Sequence, residues 1–298
     1  MSASQVNGWL ILDKPVGLGS TQAVAAVKRA LRAAGHPRAK VGHGGTLDPL
    51  ASGVLPIAIG EATKLAGRLL DSDKVYEFSI RFGSETDTLD AEGRETASSD
   101  VRPQEEAISA ILLRFTGAIA QVPPAFSALK VDGKRAYALA RAGEEVTLAT
   151  RAVTVHALEL IGSGPDEATL RASVSKGTYI RSLARDIAHA LGTVGHVTML
   201  RRTKAGPFGL EGAISLDTLA DLGQGRALED VILPLSAGLD DIPALALTPD
   251  QAGLLRQGRV LIGIAADDGP CFAMLDDIPV ALAEVSDGNV RVVRGFNQ

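Results

Sequence analysis

Residues 76–82 constrain the fold of this chain more than any other stretch, because apolar and polar side chains alternate strictly along them. Successive side chains of a β-strand point to opposite faces of its sheet. The pattern therefore predicts a strand with Tyr76, Phe78, Ile80 and Phe82 on one face. Short predicted strands and helices follow one another along the chain without a regular βαβ rhythm. Together these features predict an α+β fold with a mixed, largely antiparallel sheet flanked by helices.

Other apolar patterns predict the elements around this strand. Short apolar runs predict further strands at Gly8–Leu12, Val54–Ile59, Val153–Ile161 and Ala168–Val174. Apolar residues at helical spacing predict helices from Ser20 to Gly35, over Glu61–Leu70, from Pro103 to Phe115 and from Thr178 to Gly192. We expect the Ser20 and Thr178 side chains to cap the N-termini of their helices.

A change of composition between Ser236 and Ala246 predicts a domain boundary. With 298 residues, the chain is long enough for one large domain and a small one. We place the larger domain at residues 1–240 and a small β-rich module at residues 241–298. Short apolar runs predict strands of this module at Arg259–Ile264, Phe272–Leu275, Val280–Val285 and Val290–Arg294.

Cysteine content and hydropathy limit where the protein can work. The only cysteine is Cys271, which excludes an internal disulfide and a metal site built from several cysteines. The first residues lack the basic start and apolar core of a secretory signal. The longest uncharged run, Phe115–Leu129, contains two prolines and is too short to cross a bilayer. We therefore expect a cytoplasmic protein that does not associate with a membrane.

The charges are distributed unevenly, although the net charge is only −5. Residues 28–68 contain seven Lys or Arg against two acidic residues, and residues 171–204 contain seven against one. The tail from Asp241 contains four arginines against eight acidic residues. Because phosphate binding requires a local positive potential, the first two segments predict a nucleic-acid surface, with Lys64 and Arg202 among its contacts. The alternative is that each segment is an ordinary solvated helix face.

A glycine-rich turn at residues 42–49 surrounds a single carboxylate, Asp48. Glycine allows the backbone to turn sharply and to approach a ligand closely. The stretch has neither the G-x-x-x-x-G-K-[ST] pattern of a Walker loop nor the three spaced glycines of a dinucleotide-binding loop. Composition alone favours a surface turn, since Asp-Pro is a common turn former.

Six blocks of sequence, in order from about residue 7 to residue 210, indicate a more specific function for this turn. They are GWLILDKPVGLGST, KVGHGGTLDPLASGVLPIAIGEATK, DKVYEFSIRFGSETDTLDAEG, PPAFSALKVDGKRAYALARAGEEV, SKGTYIRSLARDIAHALG and HVTMLRRTKAGPF. In these blocks the chain resembles the bacterial tRNA pseudouridine-55 synthases of the TruB family. The resemblance implies a pseudouridine synthase fold with a C-terminal PUA-like module, and isomerisation of the T-loop uridine of tRNA. It also implies chemistry without a cofactor or metal, and a C-terminal module that approaches the acceptor stem of tRNA. We expect a monomer, and no guide RNA, because nothing in the sequence suggests docking to the proteins of a guide complex.

The same resemblance assigns roles to individual residues. Asp48 matches the catalytic aspartate, which attacks C1′ of the ribose or assists loss of its 2′ proton, and the sequence leaves both routes open. Arg181 matches the cationic partner of that aspartate, and His43 matches a residue that enters the RNA where the flipped base leaves. The remaining matches are substrate contacts: the ring of Tyr76 against the uracil, Tyr179 as a second aromatic contact, the main chain of Leu200 against the base, and Lys176 near a phosphate or the anionic site. Considered without the resemblance, Arg181 is typical of an exposed helix arginine, and Tyr76 of a core residue.

The chain departs from the family pattern at two places. Many relatives have Thr where this chain has Gly44, so a possible hydroxyl contact is absent here. Ser52 is one of the two residues, Thr or Ser, that relatives have at its position, and the loop around Asp48 is otherwise intact. The short acidic tail argues against strong RNA binding by the C-terminal module.

Three other functions fit parts of the sequence. A related pseudouridine synthase could act on another RNA, and a non-catalytic tRNA-folding factor could use the same surface. A glycoside hydrolase needs two cooperating carboxylates, for which Asp13 and Asp90 are the candidates beside Asp48. The combination of Asp48 with Arg181 favours catalysis over a folding role alone.

Overall fold

The computed structural model describes residues 6–127, 129–131, 133–144, 146–225 and 227–297. The strands, in chain order, are β1 Gly8–Lys14, β2 Val41–His43, β3 Ser52–Ile59, β4 Lys74–Phe82, β5 Ser84–Thr86, β6 Glu95–Ser98, β7 Gly117–Gln121, β8 Lys130–Val131, β9 Lys134–Arg135, β10 Arg151–Ser163, β11 Glu167–Val174, β12 Gly195–Ala205, β13 Phe208–Gly209, β14 Ala244–Ala246, β15 Leu261–Ile262, β16 Gly269–Leu275, β17 Ile278–Ser286 and β18 Asn289–Gly295. The α-helices are α1 Ser20–Ala33, α2 Ala66–Asp71, α3 Glu105–Leu112, α4 Ala136–Arg141, α5 Ile180–Ala190, α6 Leu216–Gly225 and α7 Pro249–Arg256. Short 3₁₀ helices cover Gly60–Lys64, Leu113–Phe115, Leu228–Val231 and Leu235–Gly238.

A nine-stranded mixed sheet confirms the predicted α+β fold, and its main path runs β1-β3-β12-β4-β11-β10-β7. Its strand pairs are antiparallel except for the parallel pair of β12 with β3. The alternating stretch forms most of β4, which lies in the middle of this path between β12 and β11. This central position explains why Phe78, Ile80 and Phe82 are buried.

Helices cover one face of this sheet. The apolar stripes that they bury against it contain Ala23, Val27 and Leu31 of α1, Ile108 and Leu112 of α3, and Leu183 and Ile187 of α5. Burying each valine, leucine or isoleucine of these stripes stabilises the fold by about 1.5–3 kcal/mol. The stripe of α5 therefore fixes which way the first turn of this helix faces.

Two predicted helix caps are wrong. Helix α1 begins at Ser20, but the Ser20 hydroxyl hydrogen-bonds to the main chain of Leu47, at 2.8 and 2.9 Å, instead of capping its own helix. The Thr178 hydroxyl donates to the carbonyl of Ser175 at 3.0 Å, and α5 begins two residues later. Ser20 thus binds the loop that carries Asp48, and Thr178 binds within its own turn, so neither hydroxyl accepts from the N–H groups of its helix.

The helix predicted over Glu61–Leu70 divides into a 3₁₀ helix and the short α2. The Leu65 N–H donates to the carbonyl of Ala62, three residues earlier, which marks the change from one helix type to the other. None of the helices in the described part of the chain combines the length and apolar composition that a membrane span requires.

A second sheet of five strands, in the order β14-β16-β17-β18-β15, forms the C-terminal region with α7. Its strands overlap all four that the sequence predicts there, and it encloses a core of its own. Phe272 and Phe296 of this region also share one apolar cluster with Trp9, Ile11 and Leu65 of the larger body. Because of this shared cluster, the boundary near residue 240 stays a prediction.

Candidate active site

A cavity of about 320 Å³ opens where the loop between β2 and β3 meets the start of α5. The predicted site residues that line it are Asp48, Tyr76, Tyr179, Arg181 and Leu200. They come from four separate parts of the chain: one loop, two neighbouring strands and the beginning of a helix.

Asp48 projects from a loop that hydrogen bonds hold on both sides. Ser20 Oγ accepts from the Leu47 N–H at 2.8 Å and donates to the Leu47 carbonyl at 2.9 Å. On the other side, the Gly17 N–H donates to the carbonyl of Pro49 at 2.8 Å. The carboxylate is therefore attached to an anchored main chain, although it lies in a turn.

Arg202 of β12 anchors the first half of the same loop from inside the protein. Its guanidinium donates to the carbonyls of Val54, Gly45 and Thr46 at 2.8, 3.2 and 3.4 Å. The residue is only 1% exposed. The prediction that Arg202 contacts phosphate is therefore wrong, since its donors serve main-chain carbonyls in the interior.

Arg181, in the first turn of α5, lies between two carboxylates. Its Nη2 is 2.8 Å from Oδ2 of Asp48, and its Nη1 is 3.3 Å from Oδ2 of Asp90. It also donates to the carbonyls of Thr88 and Phe126, at 2.8 and 3.1 Å. The side chains of Arg181 and Asp90 are 7% and 4% exposed, whereas that of Asp48 is 42% exposed. A buried guanidinium with both Nη atoms engaged thus orients one partly exposed carboxylate towards the cavity.

Asp90 contributes to the site in a way that the sequence analysis did not predict. Its Oδ1 accepts from the Thr88 hydroxyl at 2.5 Å and from the Glu92 N–H at 3.1 Å, while its Oδ2 faces Arg181. Both oxygens are therefore engaged within the protein. Only the position of Asp90 in a matching block could have suggested a role, because its distance to Arg181 depends on the tertiary fold.

The structure argues against the glycoside hydrolase alternative. Asp13 forms a bidentate pair with Arg201, at 3.0 and 2.7 Å, and lines neither of the cavities described here. Asp90 is buried and bonded through both oxygens. Neither candidate can serve Asp48 as the free second carboxylate that this chemistry needs.

Aromatic and aliphatic side chains form the walls beside Asp48. Tyr76 lies on β4 and Leu200 on the adjacent strand β12. Tyr179 lies just before α5, where the Gln121 amide accepts from its N–H at 2.8 Å and donates to its carbonyl at 3.1 Å. Burial raises the pKa of the Tyr179 phenol. An apolar and aromatic space beside a carboxylate suits a planar, weakly polar group such as a nucleobase.

A second cavity of about 680 Å³ adjoins the first and shares Asp48 and Arg181 with it. His43 lines this second cavity, and its Nδ1 accepts from the Gly45 N–H at 3.4 Å. Burial and the nearby charge of Arg202 lower the pKa of His43 below 6.5, so that the ring is neutral at pH 7.

Two residues of α4 also line the second cavity, and the sequence analysis did not select either of them. The Arg141 guanidinium lies 5.6 Å from the centre of the Tyr137 ring. Their block matched the family pattern, but no periodicity or spacing distinguishes them from ordinary helix residues. Among the described residues, no group of three or more His, Cys, Asp or Glu side chains could hold a metal ion.

Lys176 lines neither cavity and pairs with Asp71, the last residue of α2, at 3.0 Å. The two side chains are 62% and 67% exposed, and their neighbours Leu70 and Gly177 line the first cavity. Lys176 therefore lies at the mouth of this cavity.

Lys64, the other predicted phosphate contact, is engaged within the protein. It lies 2.6 Å from the Glu61 carboxylate and 2.9 Å from the carbonyl of Gly295. Its position links the larger body to the C-terminal sheet, so we now assign it a structural role at this junction.

Two buried lysines contribute positive charge close to the site. Lys14 donates to the carbonyls of Pro15 and Leu18, at 2.9 and 2.7 Å. Burial lowers the pKa of Lys14 to about 8, although Asp48 opposes this change. Lys74 lines the first cavity, and burial likewise lowers its pKa to about 8. Both amines therefore remain mostly protonated at pH 7.

Leu69 fills the space beside Gly44. A Cβ atom on Gly44 would lie 2.6 Å from Cδ1 of Leu69, closer than real atoms approach. Leu69 is buried in the cluster that joins the two sheets. Its side chain occupies the space that a threonine would need, which explains why glycine is suitable here.

Two family profiles match the sequence. One, described as "TruB family pseudouridylate synthase (N terminal domain)", matches residues 28–180. The other, described as "tRNA pseudouridylate synthase B C-terminal domain", matches residues 181–240. Two curated proteins named tRNA pseudouridine synthase B, from Novosphingobium aromaticivorans and Zymomonas mobilis, are 65% and 62% identical over 297 and 292 residues. The alignments cover 98% of this chain and 98% and 96% of those proteins.

Solved structures share the fold over almost the whole chain. A structure of an H/ACA RNP bound to a substrate RNA containing 2′-deoxyuridine has a TM-score of 0.75 at 26% identity, covering 98% of this chain and 85% of that one. A Cbf5–Nop10–Gar1 complex has a TM-score of 0.74 at 28% identity, covering 97% and 84%. The similarity thus includes both sheets.

Proposed function

Because the chain belongs to the TruB family of pseudouridylate synthases, we propose that it converts the T-loop uridine at position 55 of tRNA to pseudouridine. The reaction breaks the N1–C1′ bond, rotates the uracil and joins C5 to C1′. The proton that leaves C5 is balanced by one that N1 gains, so no atoms are gained or lost. The names of the relatives that match over nearly full length support tRNA as the substrate.

The pairing of Asp48 with Arg181 carries this proposal. The guanidinium lies 2.8 Å from the carboxylate and is itself held by Asp90 and by main-chain carbonyls. Since Asp48 remains 42% exposed at the cavity wall, one oxygen is available to a ribose. It attacks C1′ or assists loss of the 2′ proton.

The walls of the first cavity are suited to an extruded base. In this proposal the ring of Tyr76 stacks on the uracil, Tyr179 provides a second aromatic contact, and the main chain of Leu200 meets the polar edge of the base. His43 faces the adjoining second cavity, from which its neutral ring enters the RNA and fills the place of the flipped base. Stacking there compensates for part of the energy that unstacking costs.

The larger second cavity is suited to the RNA around the target nucleotide. The Tyr137 ring and the Arg141 guanidinium can stack on bases or contact the backbone from α4. Lys176 contacts a phosphate at the mouth of the first cavity. There the phosphate replaces Asp71 as the partner of the ammonium group. We propose that the T stem-loop occupies this surface and that the protein acts as a monomer.

The test of this function is release of tritium from C5-labelled uridine in an unmodified tRNA transcript, followed by mapping of the modified position. We expect release together with pseudouridine at position 55. Modification at another position would favour a synthase with a different target. A preparation that binds tRNA without any release would contradict the proposal and favour the tRNA-folding alternative.

The first prediction concerns Asp48. Asp48→Asn should abolish turnover while tRNA binding persists, because asparagine is nearly isosteric but is neither a nucleophile nor a base. Asp166→Asn is the matched control, since Asp166 also pairs with one arginine, Arg102, at 2.7 Å, and is 60% exposed outside both cavities. Multiple turnover by Asp48→Asn would remove Asp48 from its catalytic role. If Asp48→Asn still refolds tRNA, the folding activity is a second function of the same surface.

A further inference from the structure

Ser127 lies at the boundary of the two cavities and lines both of them. The residue is 4% exposed. Among the residues that the structure describes, its Oγ has no hydrogen-bond partner. A buried hydroxyl without a partner is unfavourable, and most buried polar side chains are paired. Its position between the cavities raises the question of which group satisfies it.

The surroundings place Ser127 beside the proposed reaction centre. The carbonyl of the preceding residue, Phe126, accepts from Nη2 of Arg181 at 3.1 Å, and the same Nη2 lies 2.8 Å from Asp48. The Ser127 hydroxyl is also near the Tyr179 phenol, where it opposes part of the pKa increase that burial causes. The two oxygens do not meet the full geometry of a hydrogen bond, so the phenol is at most a weak partner of the Ser127 hydroxyl.

The main chain of Ser127 is fixed, but its hydroxyl can turn. Its N–H donates to the carbonyl of Ala125, and its carbonyl accepts from the N–H of Tyr137, both at 3.0 Å. Rotation about χ1 moves a serine hydroxyl between staggered positions. Because the present position offers the hydroxyl only the contact with the Tyr179 phenol, turning it towards the cavity loses little.

We propose that the Ser127 hydroxyl hydrogen-bonds to the target uridine once this nucleotide enters the first cavity. The partner is a polar group of the nucleoside, either the 2′-hydroxyl of the ribose or a carbonyl of the uracil. This inference rests on the proposed function. It adds a substrate-binding residue from the segment between β7 and α4, which contributes no other residue to the predicted site.

The chain contains a matched control in Ser182. This serine is 0% exposed, and among the described residues its Oγ also has no hydrogen-bond partner, but it lines neither cavity. Replacing either serine with alanine removes one buried hydroxyl that has no hydrogen-bond partner among the described residues. Only removal of the Ser127 hydroxyl should affect the substrate.

The experiment measures single-turnover pseudouridine formation on a T-arm stem-loop by the wild type, Ser127→Ala and Ser182→Ala. We expect Ser127→Ala to raise the enzyme concentration for half-maximal rate by about 3- to 10-fold, the effect of one lost hydrogen bond. Ser182→Ala should match the wild type. Ser127→Thr retains the hydroxyl and should restore at least part of the loss.

Equilibrium binding of modified stem-loops identifies the partner atom. Replacing the target with 2′-deoxyuridine removes the ribose hydroxyl, and 2-thiouridine or 4-thiouridine weakens one base carbonyl as an acceptor. With the analogue that lacks the bonded atom, wild type and Ser127→Ala should bind equally, as in a double-mutant cycle. A constant difference for every analogue would mean that Ser127 acts without contacting the nucleoside, and would overturn the inference.

The two possible failures are distinguishable. If the wild type forms no pseudouridine in the stem-loop, the proposed function fails. If the wild type is active and Ser127→Ala behaves like Ser182→Ala, only this inference fails. Melting temperatures are measured for all variants. If Ser127→Ala melts at a lower temperature than Ser182→Ala, the comparison is made instead between Ser127→Cys, which lacks the hydroxyl, and Ser127→Thr, which retains it.

Discussion

Single residues at the site fall into two groups by exposure: buried residues that bind other protein groups, and partly exposed residues that face the cavities. Arg181, Asp90 and Arg202 are each less than 10% exposed and direct their polar atoms at other protein groups. Asp48 and His43 are only partly buried and face the cavities. This difference in exposure is consistent with the different roles that we propose for residues of similar charge.

The second prediction concerns His43 and pH. Because burial and Arg202 lower its pKa below 6.5, the folded protein binds fewer protons at His43 than the unfolded chain between the lowered value and 6.5. The free energy of unfolding should therefore decrease as the pH falls through this window, and the contribution should be constant above it. His43→Gln cannot be protonated, so its stability relative to the wild type should improve from pH 7 to pH 5. Urea unfolding at each pH measures this difference.

An independent measurement checks the cause of that effect. The imidazole of His43 can be titrated by NMR, with His43→Gln used to assign its signal. A midpoint at or above 6.5 would contradict the predicted direction, even if stability changes with pH for other reasons.

At the scale of elements, the parallel pairing of β3 with β12 is the junction that places Arg202 beneath the loop of Asp48. It pairs Arg201 with Ser52 and Arg202 with Gly53. Gly53 has a φ of +101°, and a Cβ there would lie 2.1 Å from the Arg202 carbonyl oxygen. Only glycine allows this approach. The junction therefore determines where the Arg202 side chain starts and which loop carbonyls it reaches.

The third prediction follows from this junction. Gly53→Ala should lower the free energy of unfolding by at least about 3 kcal/mol, because backbone strain adds to the clash with Arg202. Gly35→Ala is the matched control: Gly35 also has a φ of +101°, but a Cβ there would meet nothing within 4 Å. The control should lose only about 1–2 kcal/mol. Equal losses in urea unfolding would mean that the contact with Arg202 is unimportant.

At the scale of the whole molecule, the two sheets are connected by both apolar and polar contacts. Trp9 and Leu65 of the larger body share a cluster with Phe296 of the C-terminal sheet. The Arg68–Asp241 pair, at 2.9 Å, crosses the same junction. Deleting residues 241–298 would expose this cluster, so point substitutions are the better probes of the C-terminal region.

The fourth prediction tests whether the two sheets unfold together. Phe296 is 3% exposed, and Phe296→Ala should reduce the free energy of unfolding by about 3–5 kcal/mol. Val293→Ala, three residues earlier on β18 and 66% exposed, should change it by less than about 0.5 kcal/mol. Calorimetry should show one cooperative transition for the wild type. Two separate transitions would indicate that the C-terminal sheet unfolds independently.

The fifth prediction concerns the RNA surface. Lys176 is exposed at the mouth of the first cavity, so Lys176→Ala should flatten the log–log salt dependence of stem-loop binding by about one unit. Arg171→Ala is the control, because Arg171 is also exposed but alternates on β11 with the buried Leu170 and Ala172, and therefore faces away from the core. Its slope should equal that of the wild type. An unchanged slope for Lys176→Ala would exclude a phosphate contact at that residue.

Features with local causes could be predicted from the order of residues alone. The alternation of residues 76–82 predicted β4, and the apolar spacing after Thr178 predicted α5, because each depends on the period of one element. The matching blocks identified the family and proposed Asp48 and Arg181 as partners, which the structure places 2.8 Å apart. Local causes also explain why the predicted C-terminal strands are present.

Pairing of side chains that lie far apart along the chain depends on the folded arrangement of the elements. Charge counts treated Arg202 and Lys176 alike, yet Arg202 is buried against loop carbonyls and Lys176 is exposed. The sequence predicted Ser20 as a helix cap, but in the folded chain its hydroxyl hydrogen-bonds to the main chain of Leu47. Hydrogen bonds and ion pairs act over a few ångströms in space, whatever the separation in sequence. The position of β12 between β3 and β4 therefore decided the surroundings of Asp48, and no local pattern encodes that order.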